Sequence, residues 1–273
     1  EIEESANYLD SLINNNSNLF KLVGKKPLII SAHMTKINDY DFIYLMDLKG
    51  AAKLGAFMDV IQIILDKLVM PTKKEIVHGE DVYVIGEGAD AIFLTIKDNI
   101  LLCSYTKALI EKALIQHEKP YFPENKPYIT MRGKVDGKGQ ARVMINFSML
   151  NQFTKVYMDE PGDMVNSISE SLQYAMYDFE MTDDYVELNG YASAFDSVSS
   201  MINALKNTNG STIKAPKILP ERTSFFTSIN FDNFDSYYNE MEKVMKLDKA
   251  SWDDWSKTQQ RIENFLNISV KEH

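Results

Sequence analysis

Cysteine is the residue type that this sequence lacks most conspicuously, because Cys103 is the only one. No disulfide can therefore form within the chain, and the cysteine content does not settle the redox compartment. Cys103 lies in the apolar stretch Ile100–Ser104, which predicts a strand with a small buried side chain. Nothing near it in the sequence would lower the pKa of its thiol, so we do not predict a catalytic cysteine.

Long apolar runs are also missing, and so is an excess of positive charge. No run approaches the roughly 18 residues that a membrane-spanning helix needs. The 39 aspartates and glutamates outnumber the 29 lysines and arginines, and the net charge of −10 disfavours nucleic acid and anionic membranes as partners. The chain opens at Glu1 without a basic and then apolar segment, so we expect any signal or membrane anchor to precede Glu1.

The usual sequence signatures of catalysis, metal binding and cofactor binding are absent too. The four histidines are isolated from one another, and neither a nucleophile-elbow motif nor a phosphate-binding loop occurs. His33 lies between Ser31 and Thr35 on the polar side of a predicted strand, where a surface or hydrogen-bonded role is expected. We therefore predict no catalytic residue, no metal ligand and no cofactor.

One segment, Gly86–Ala91, does match the G-x-G-x-x-A pattern of dinucleotide-binding loops. That mechanism needs a helix N-terminus directly after the loop to hold the pyrophosphate. Ala91–Ile96 has a strand-forming sequence instead, and Glu87 would place a negative charge beside the phosphates. We interpret the segment as a hairpin or bulge loop that uses glycine for positive φ angles.

Hydrophobic periodicity predicts a β-hairpin followed by a helix, and this unit recurs along the chain. Hairpins followed by helices most simply build an α+β fold with a largely antiparallel sheet and helices packed on one face. Pro71 ends the first predicted helix because proline cannot continue the hydrogen-bond ladder. The predicted strand regions are 28–35, 42–48, 82–85, 91–97, 100–104, 173–181 and 185–192, and the predicted helices are 51–69, 106–116 and 197–206.

A more specific repeat lies in two segments that end in Ile-Asn-Phe, Val143–Phe147 and Thr227–Phe231. Each predicts a strand followed by an amphipathic helix, with Ser148 or Asp232 as the N-cap. Two such copies suggest an internal duplication, although three identical residues also allow coincidence. The proline-containing stretch 211–220 predicts a boundary, with residues 1–213 as a first α+β module and 214–273 as the start of a second, related and truncated module.

The tryptophans Trp252 and Trp255 are three residues apart on a predicted helix, in which Ser251 and Asp254 have the spacing of a capping box. They therefore share one side and are candidates for an aromatic platform that binds a sugar or a protein. The alternative is that both pack against a neighbouring element.

Paired carboxylates are the remaining candidates for chemistry. A general acid and base need two carboxylates that face one cleft and have different pKa values, which a linear sequence does not reveal. Aspartate is also favoured in turns and in first helical turns for local reasons, so those reasons are the simpler explanation. The pairs are Asp39 with Asp41, Asp183 with Asp184, and Asp253 with Asp254.

Several segments together resemble an uncharacterised family of bacterial cell-envelope proteins with an N-terminal membrane segment. The likeness is carried by Ile30–Thr35 with Asp39–Phe42, by Leu101–Ser104 leading into Ala108–Ala113, and by Leu219–Phe225. The resemblance implies an exported, anchored protein, periplasmic or on the cell surface, and it brings no active site with it. A cytoplasmic location is the alternative.

Three functions follow as hypotheses. The first is a non-enzymatic binding or scaffolding module for a protein or glycan partner. The second is a hydrolase-like enzyme whose acidic residues converge only in the fold, and the third is a spacer between neighbouring domains. A buried carboxylate pair in the deepest pocket would favour the enzyme, whereas an exposed aromatic patch would favour binding.

Overall fold

The computed structural model describes residues 26–48, 71–214 and 217–269. The predicted helix 51–69 lies outside these residues. The chain divides into two compact units, Glu1–Glu124 and Asn125–His273. Both contain antiparallel sheets together with helices, so the predicted α+β class is confirmed. None of the helices in the described ranges combines the length and the apolar character needed to cross a membrane.

The first unit contains a six-stranded antiparallel sheet in the order β1-β2-β6-β5-β4-β3. The predicted hairpins β1–β2 and β5–β6 form, with residues at positive φ in their turns, such as Asn38 and Asn99. The strands are β1 Leu28–Lys36, β2 Asp39–Asp47, β3 Thr72–Val77, β4 Glu80–Ile85, β5 Ile92–Lys97 and β6 Ile100–Ser104, and helix α1 follows at Lys107–Glu118.

Strand β3 was missed by the sequence analysis because its charged side chains obscure the alternation of apolar residues. It pairs only with β4 and forms an edge of the sheet. Lys73, Lys74 and Glu75 lie on it, and charged residues of this kind protect an edge from pairing with other chains.

Helix α1 covers one face of this sheet. Its buried residues Leu109, Ile110 and Leu114 form a core cluster with residues of four strands, among them Ile43 and Leu102. Two buried hydroxyl groups in the sheet have partners, because Thr95 Oγ1 donates to the Asp81 carbonyl and Ser104 Oγ donates to the Phe42 carbonyl. This unit therefore buries its polar groups in the way that stable cores require.

The second unit contains a three-stranded antiparallel sheet in the order β7-β8-β9 and most of the helices that the structure describes. Strands β8 and β9 and the helix after them confirm the third predicted hairpin-helix unit. The strands are β7 Ala141–Asn146, β8 Leu172–Met181 and β9 Val186–Ala194. The helices are α2 Lys126–Lys134, α3 Leu150–Thr154, α4 Asp163–Ser171, α5 Met201–Lys206, α6 Phe234–Met245 and α7 Lys249–Leu266.

Helices contact both faces of this smaller sheet, whereas one covered face was predicted. The α2 residue Met131 packs on Tyr174 and Met176, and helix α4 packs on Ala175 through Ile168. The reason lies in the first half of β8, where consecutive residues are apolar and buried. A strand with that pattern needs cover on both sides.

The two Ile-Asn-Phe segments adopt different structures. The first forms β7, then a 3-10 turn and helix α3, as predicted. The second precedes helix α6, but residues 223–231 form no strand, so that part of the prediction is wrong. The caps also differ from the prediction, because Asn146 and Asn233 accept the backbone N–H groups instead of Ser148 and Asp232. The duplication itself stays a prediction.

The predicted boundary near residue 213 lies inside the second compact unit. Ala204 of α5, before the boundary, shares a core cluster with Met241 and Val244 of α6, after it. Residues on the two sides of this point therefore pack together. A division into related modules at this position stays a prediction.

Candidate binding surface

A shallow cleft in the first unit brings the predicted acidic pair Asp39 and Asp41 to one place, near the start of α1. Asp39 is exposed and lies 3.9 Å from Lys36 Nζ. Asp41 accepts hydrogen bonds from its neighbour Phe42 N, at 2.7 Å, and from Thr106 Oγ1. These contacts are typical of local structural roles, and the pair is not buried.

Of the other two acidic pairs, the first lies in the predicted turn and the second lies within a helix. Asp183 and Asp184 lie between β8 and β9, where Thr182 Oγ1 accepts from Asp184 N. Asp253 and Asp254 lie in the second turn of α7 and not in its first turn as predicted, because the helix begins at Lys249 and Asp248, not Ser251, caps it. Within the described ranges, no group of three or more histidine, cysteine or acidic side chains is placed to hold a metal ion.

The Gly86–Ala91 segment is the predicted turn. Gly86 and Gly88 have φ angles of 84° and 69°, which favour glycine. A 3-10 turn at Gly88–Asp90 leads directly into strand β5 and not into an α-helix. The segment therefore lacks the helix N-terminus that would hold a pyrophosphate.

Neither His33 nor Cys103 shows signs of activation. His33 Nε2 lies 2.9 Å from Ser31 Oγ, so the ring is hydrogen-bonded on its own strand. Desolvation and, to a smaller extent, the charge of Lys112 lower the pKa of His33. Burial raises the pKa of the Cys103 thiol, which disfavours the reactive thiolate.

The two tryptophans have different surroundings. Trp255 packs on Tyr238, with ring centroids 5.9 Å apart, and borders the core cluster of α5 and α6. Trp252 carries the ammonium group of Lys246 above its ring, 4.7 Å from the centroid. Packing thus accounts for Trp255, and the surface-binding role predicted for the pair stays a prediction.

The small sheet of the second unit presents apolar side chains on one face near the β8–β9 turn. Direct cross-strand partners share a face. The pairs Phe179 with Leu188 and Met181 with Val186 bring four apolar side chains together there. We define the apolar sheet face as Val143, Tyr177, Phe179, Met181, Val186 and Leu188, where Val143 pairs with Tyr177.

Much of the apolar sheet face is open to solvent. The exposed fractions are 61% for Val186, 56% for Leu188 and 54% for Met181. Gly190 adds no side chain opposite Tyr177, and a Cβ atom there would lie 2.0 Å from the Met176 carbonyl oxygen. Clustered exposure of this kind is uncommon for apolar side chains in a folded protein.

The reverse face of the same sheet carries an ion pair at the corresponding position. Arg142 Nε and Asp178 Oδ1 lie 3.0 Å apart, and Gly137 N donates to Asp178 Oδ2 at 2.7 Å. Further along, Met144 and Met176 pack beneath α2. The two faces therefore differ at this position, because an ion pair lies on the reverse face and exposed apolar side chains lie on the other.

Carboxylates border the apolar sheet face. Asp183 and Asp184 follow Met181 in the turn, and Glu180 and Glu187 are cross-strand partners on the reverse face. The charge of Glu180 raises the pKa of Tyr185, whose hydroxyl donates to that carboxylate at 3.4 Å. The rim thus carries negative charge around an apolar centre.

Sequence analysis missed this surface although it found the strands. The alternation in β9 shows which residues share a face, but an alternating strand normally turns its apolar side to a core. Only the placement of α4 and α5 shows that this end of the sheet is left uncovered.

No protein-family model matches this chain, and no curated protein or solved structure matches it either.

Proposed function

We propose that this chain is a non-enzymatic binding module of the bacterial cell envelope that holds a protein partner on the apolar sheet face. The observation that carries the proposal is the exposure of Met181, Val186 and Leu188 on one face of a sheet whose other end is core. Burying such side chains stabilises a complex by roughly 25 cal/mol for each Å² removed from water. The envelope location rests on the sequence resemblance.

The chemistry of the surface favours a protein over a glycan. A sugar needs hydrogen-bonding groups beside an aromatic ring, and most of this face is aliphatic. A partner that buries an apolar patch and presents lysine or arginine to Asp183 and Asp184 would match both its centre and its rim.

The hydrolase-like alternative has less support. Asp39 and Asp41 line one cleft, but Asp39 is exposed and Asp41 is hydrogen-bonded to Thr106. An acid and base pair needs two carboxylates in environments that separate their pKa values. The open apolar face is the feature that the binding hypothesis requires.

The test compares two sides of strand β9. The variant Val186→Ser with Leu188→Ser removes apolar area from the face, whereas Glu187→Ser changes the residue between them on the reverse side. Tagged wild type and both variants are used to retain proteins from a bacterial envelope extract, and any retained protein is then purified and titrated. We expect the double variant to bind at least about tenfold more weakly and the control to bind like the wild type.

Equal retention by the wild type and the double variant, with both folded by circular dichroism, would contradict the proposal. Retention that is lost only after glycosidase treatment of the extract would indicate a glycan partner instead.

A further inference from the structure

Residues 223–231, which we call the unpaired segment, have the sequence of a strand without its structure. Thr223 N donates to the Pro220 carbonyl before the segment, and Asp232 N donates to the Asn209 carbonyl after it. Between these points, residues 224–231 make no backbone-to-backbone hydrogen bond with any described residue. Backbone groups left without such partners are available for a ladder with another strand.

The side chains of the unpaired segment alternate as a strand requires. Odd-numbered positions carry only β-branched and aromatic residues, whereas three of the four even-numbered positions carry Ser224, Ser228 and Asn230. Phe225 is 83% exposed, and Phe226 and Ile229 are also exposed. The odd-numbered residues are Thr223, Phe225, Thr227, Ile229 and Phe231.

The same segment is complementary to itself in one antiparallel register. If Thr227 lies opposite its own copy, Phe225 lies opposite Ile229 of the second copy. Aromatic with β-branched and threonine with threonine are among the favourable cross-strand pairs. Only the register centred on Thr227 gives both.

Charge supports this register at both ends. The nine residues of the unpaired segment carry no charge, and the residues on either side are Arg222 and Asp232. Centring on Thr227 places Arg222 opposite Asp232 of the second copy, and the two-fold symmetry repeats this pair.

One end of the unpaired segment is already held in place. The Phe231 ring stacks on Tyr237 of α6, with centroids 4.5 Å apart and an interplanar angle of 7°. Asn209 Nδ2 also donates to Asp232 Oδ2 at 3.1 Å. These contacts reduce the entropy lost when the segment pairs.

We propose that two copies of this chain associate through residues 222–232, as an antiparallel ladder centred on Thr227. This contact is separate from the apolar sheet face and does not depend on the function proposed above. A single ladder is smaller than the interface of about 800 Å² per partner that is typical of stable complexes. The dimer therefore forms at high protein concentration and dissociates on dilution.

The experiment is sedimentation equilibrium of the full chain across a dilution series. Arg222→Asp and Asp232→Arg each turn two attractive pairs into repulsive ones, and we expect each to weaken the dimer on the order of tenfold. The double variant restores opposite charges in the reversed order and should dimerise like the wild type. In an antiparallel ladder either Thr227 or Ser228 points its N–H toward the partner, so the variant Thr227→Pro with Ser228→Pro removes a central ladder donor in both cases and should leave only monomer.

Hydrogen exchange provides a second readout on the wild type alone. Every second amide within residues 224–231 should be protected at high concentration and should exchange freely after dilution. A monomer at every concentration would overturn the proposal, as would a dimer that the double proline variant leaves intact. Failure of the double charge reversal to recover association, or assembly beyond a dimer, would also overturn it.

Discussion

The two Ile-Asn-Phe segments of this chain begin from the same three residues and end in different structures. Ile145, Asn146 and Phe147 end a strand paired with β8, and Phe147 is buried against Leu172 and Ala175. Ile229, Asn230 and Phe231 belong to a segment without a ladder among the described residues. The difference shows that strand propensity becomes a strand only where a partner strand satisfies the backbone.

Both segments nevertheless start a helix in a similar way. After each segment an asparagine side chain accepts a backbone N–H. Asn146 does so at the 3-10 turn that leads into α3, and Asn233 does so at the start of α6. A cap needs only residues within one turn, so it does not depend on a distant strand. The local capping signal is thus present after both segments, whereas the long-range pairing with another strand is present for only the first.

We expect the largest difference in stability between the alanine variants of Phe147 and Phe231. Phe147→Ala removes a side chain that is 8% exposed from a core cluster, and we expect a loss of about 3–5 kcal/mol in the free energy of unfolding. Phe231→Ala removes a ring stacked on Tyr237, and we expect about 1 kcal/mol. Chemical denaturation of both variants measures the difference. Equal losses of unfolding free energy would show that the two phenylalanine side chains are equally buried in solution.

We expect a smaller difference in stability between the alanine variants of Asn146 and Asn230. Asn146 Oδ1 accepts from Ser148 N at 3.2 Å and from Ser148 Oγ at 2.7 Å, so Asn146→Ala should cost about 1 kcal/mol. Asn230 bonds only with the Ser228 side chain in the described contacts, and Asn230→Ala should stay within about 0.5 kcal/mol. Thermal unfolding of the matched pair tests this, and a larger loss for Asn230 would indicate a role beyond that local contact.

The smallest expected effect is the pH dependence of the stability that the N-cap of helix α7 provides. Asp248 accepts from Ser251 N at 2.7 Å at the start of α7, and this hydrogen bond holds the pKa of Asp248 below its ordinary value of 3.8. A lowered pKa means that the cap stabilises the folded state above pH 3.8 and that this contribution is lost as the pH falls through the lower folded value.

Asp248→Asn should therefore reduce stability at neutral pH, and its difference from the wild type should narrow below pH 3.8. Unfolding midpoints at a series of pH values measure the difference. Helix α4, which follows α3 in the chain, is capped by Gly162 without a side-chain bond, so Gly162→Ala should show no such pH dependence. A difference that stays constant across the acidic range would contradict a charged cap.

Much of the first unit was predictable from short-range pattern. Turns at Asn38 and at Asp98 with Asn99 lie between alternating strands, and the Gly86 loop was correctly separated from a phosphate site. The charged edge strand β3 was missed because its sequence lacks that alternation. In the candidate site, the strands were found and the open face was not, since exposure depends on where distant helices pack.

The sequence by itself determined the α+β class, the main hairpins and the local starts of helices, because turns, caps and periodicity act within a few residues. It also supplied the uncharged, alternating segment around Thr227. Only the tertiary structure decided that Val143–Asn146 pairs with β8 whereas residues 224–231 have no such ladder, and that Leu188 faces solvent while Ala175 is core. The physical reason is that strand pairing and burial depend on contacts between residues far apart in the chain. Bringing such residues together costs chain entropy, and a local sequence pattern carries no information about that cost.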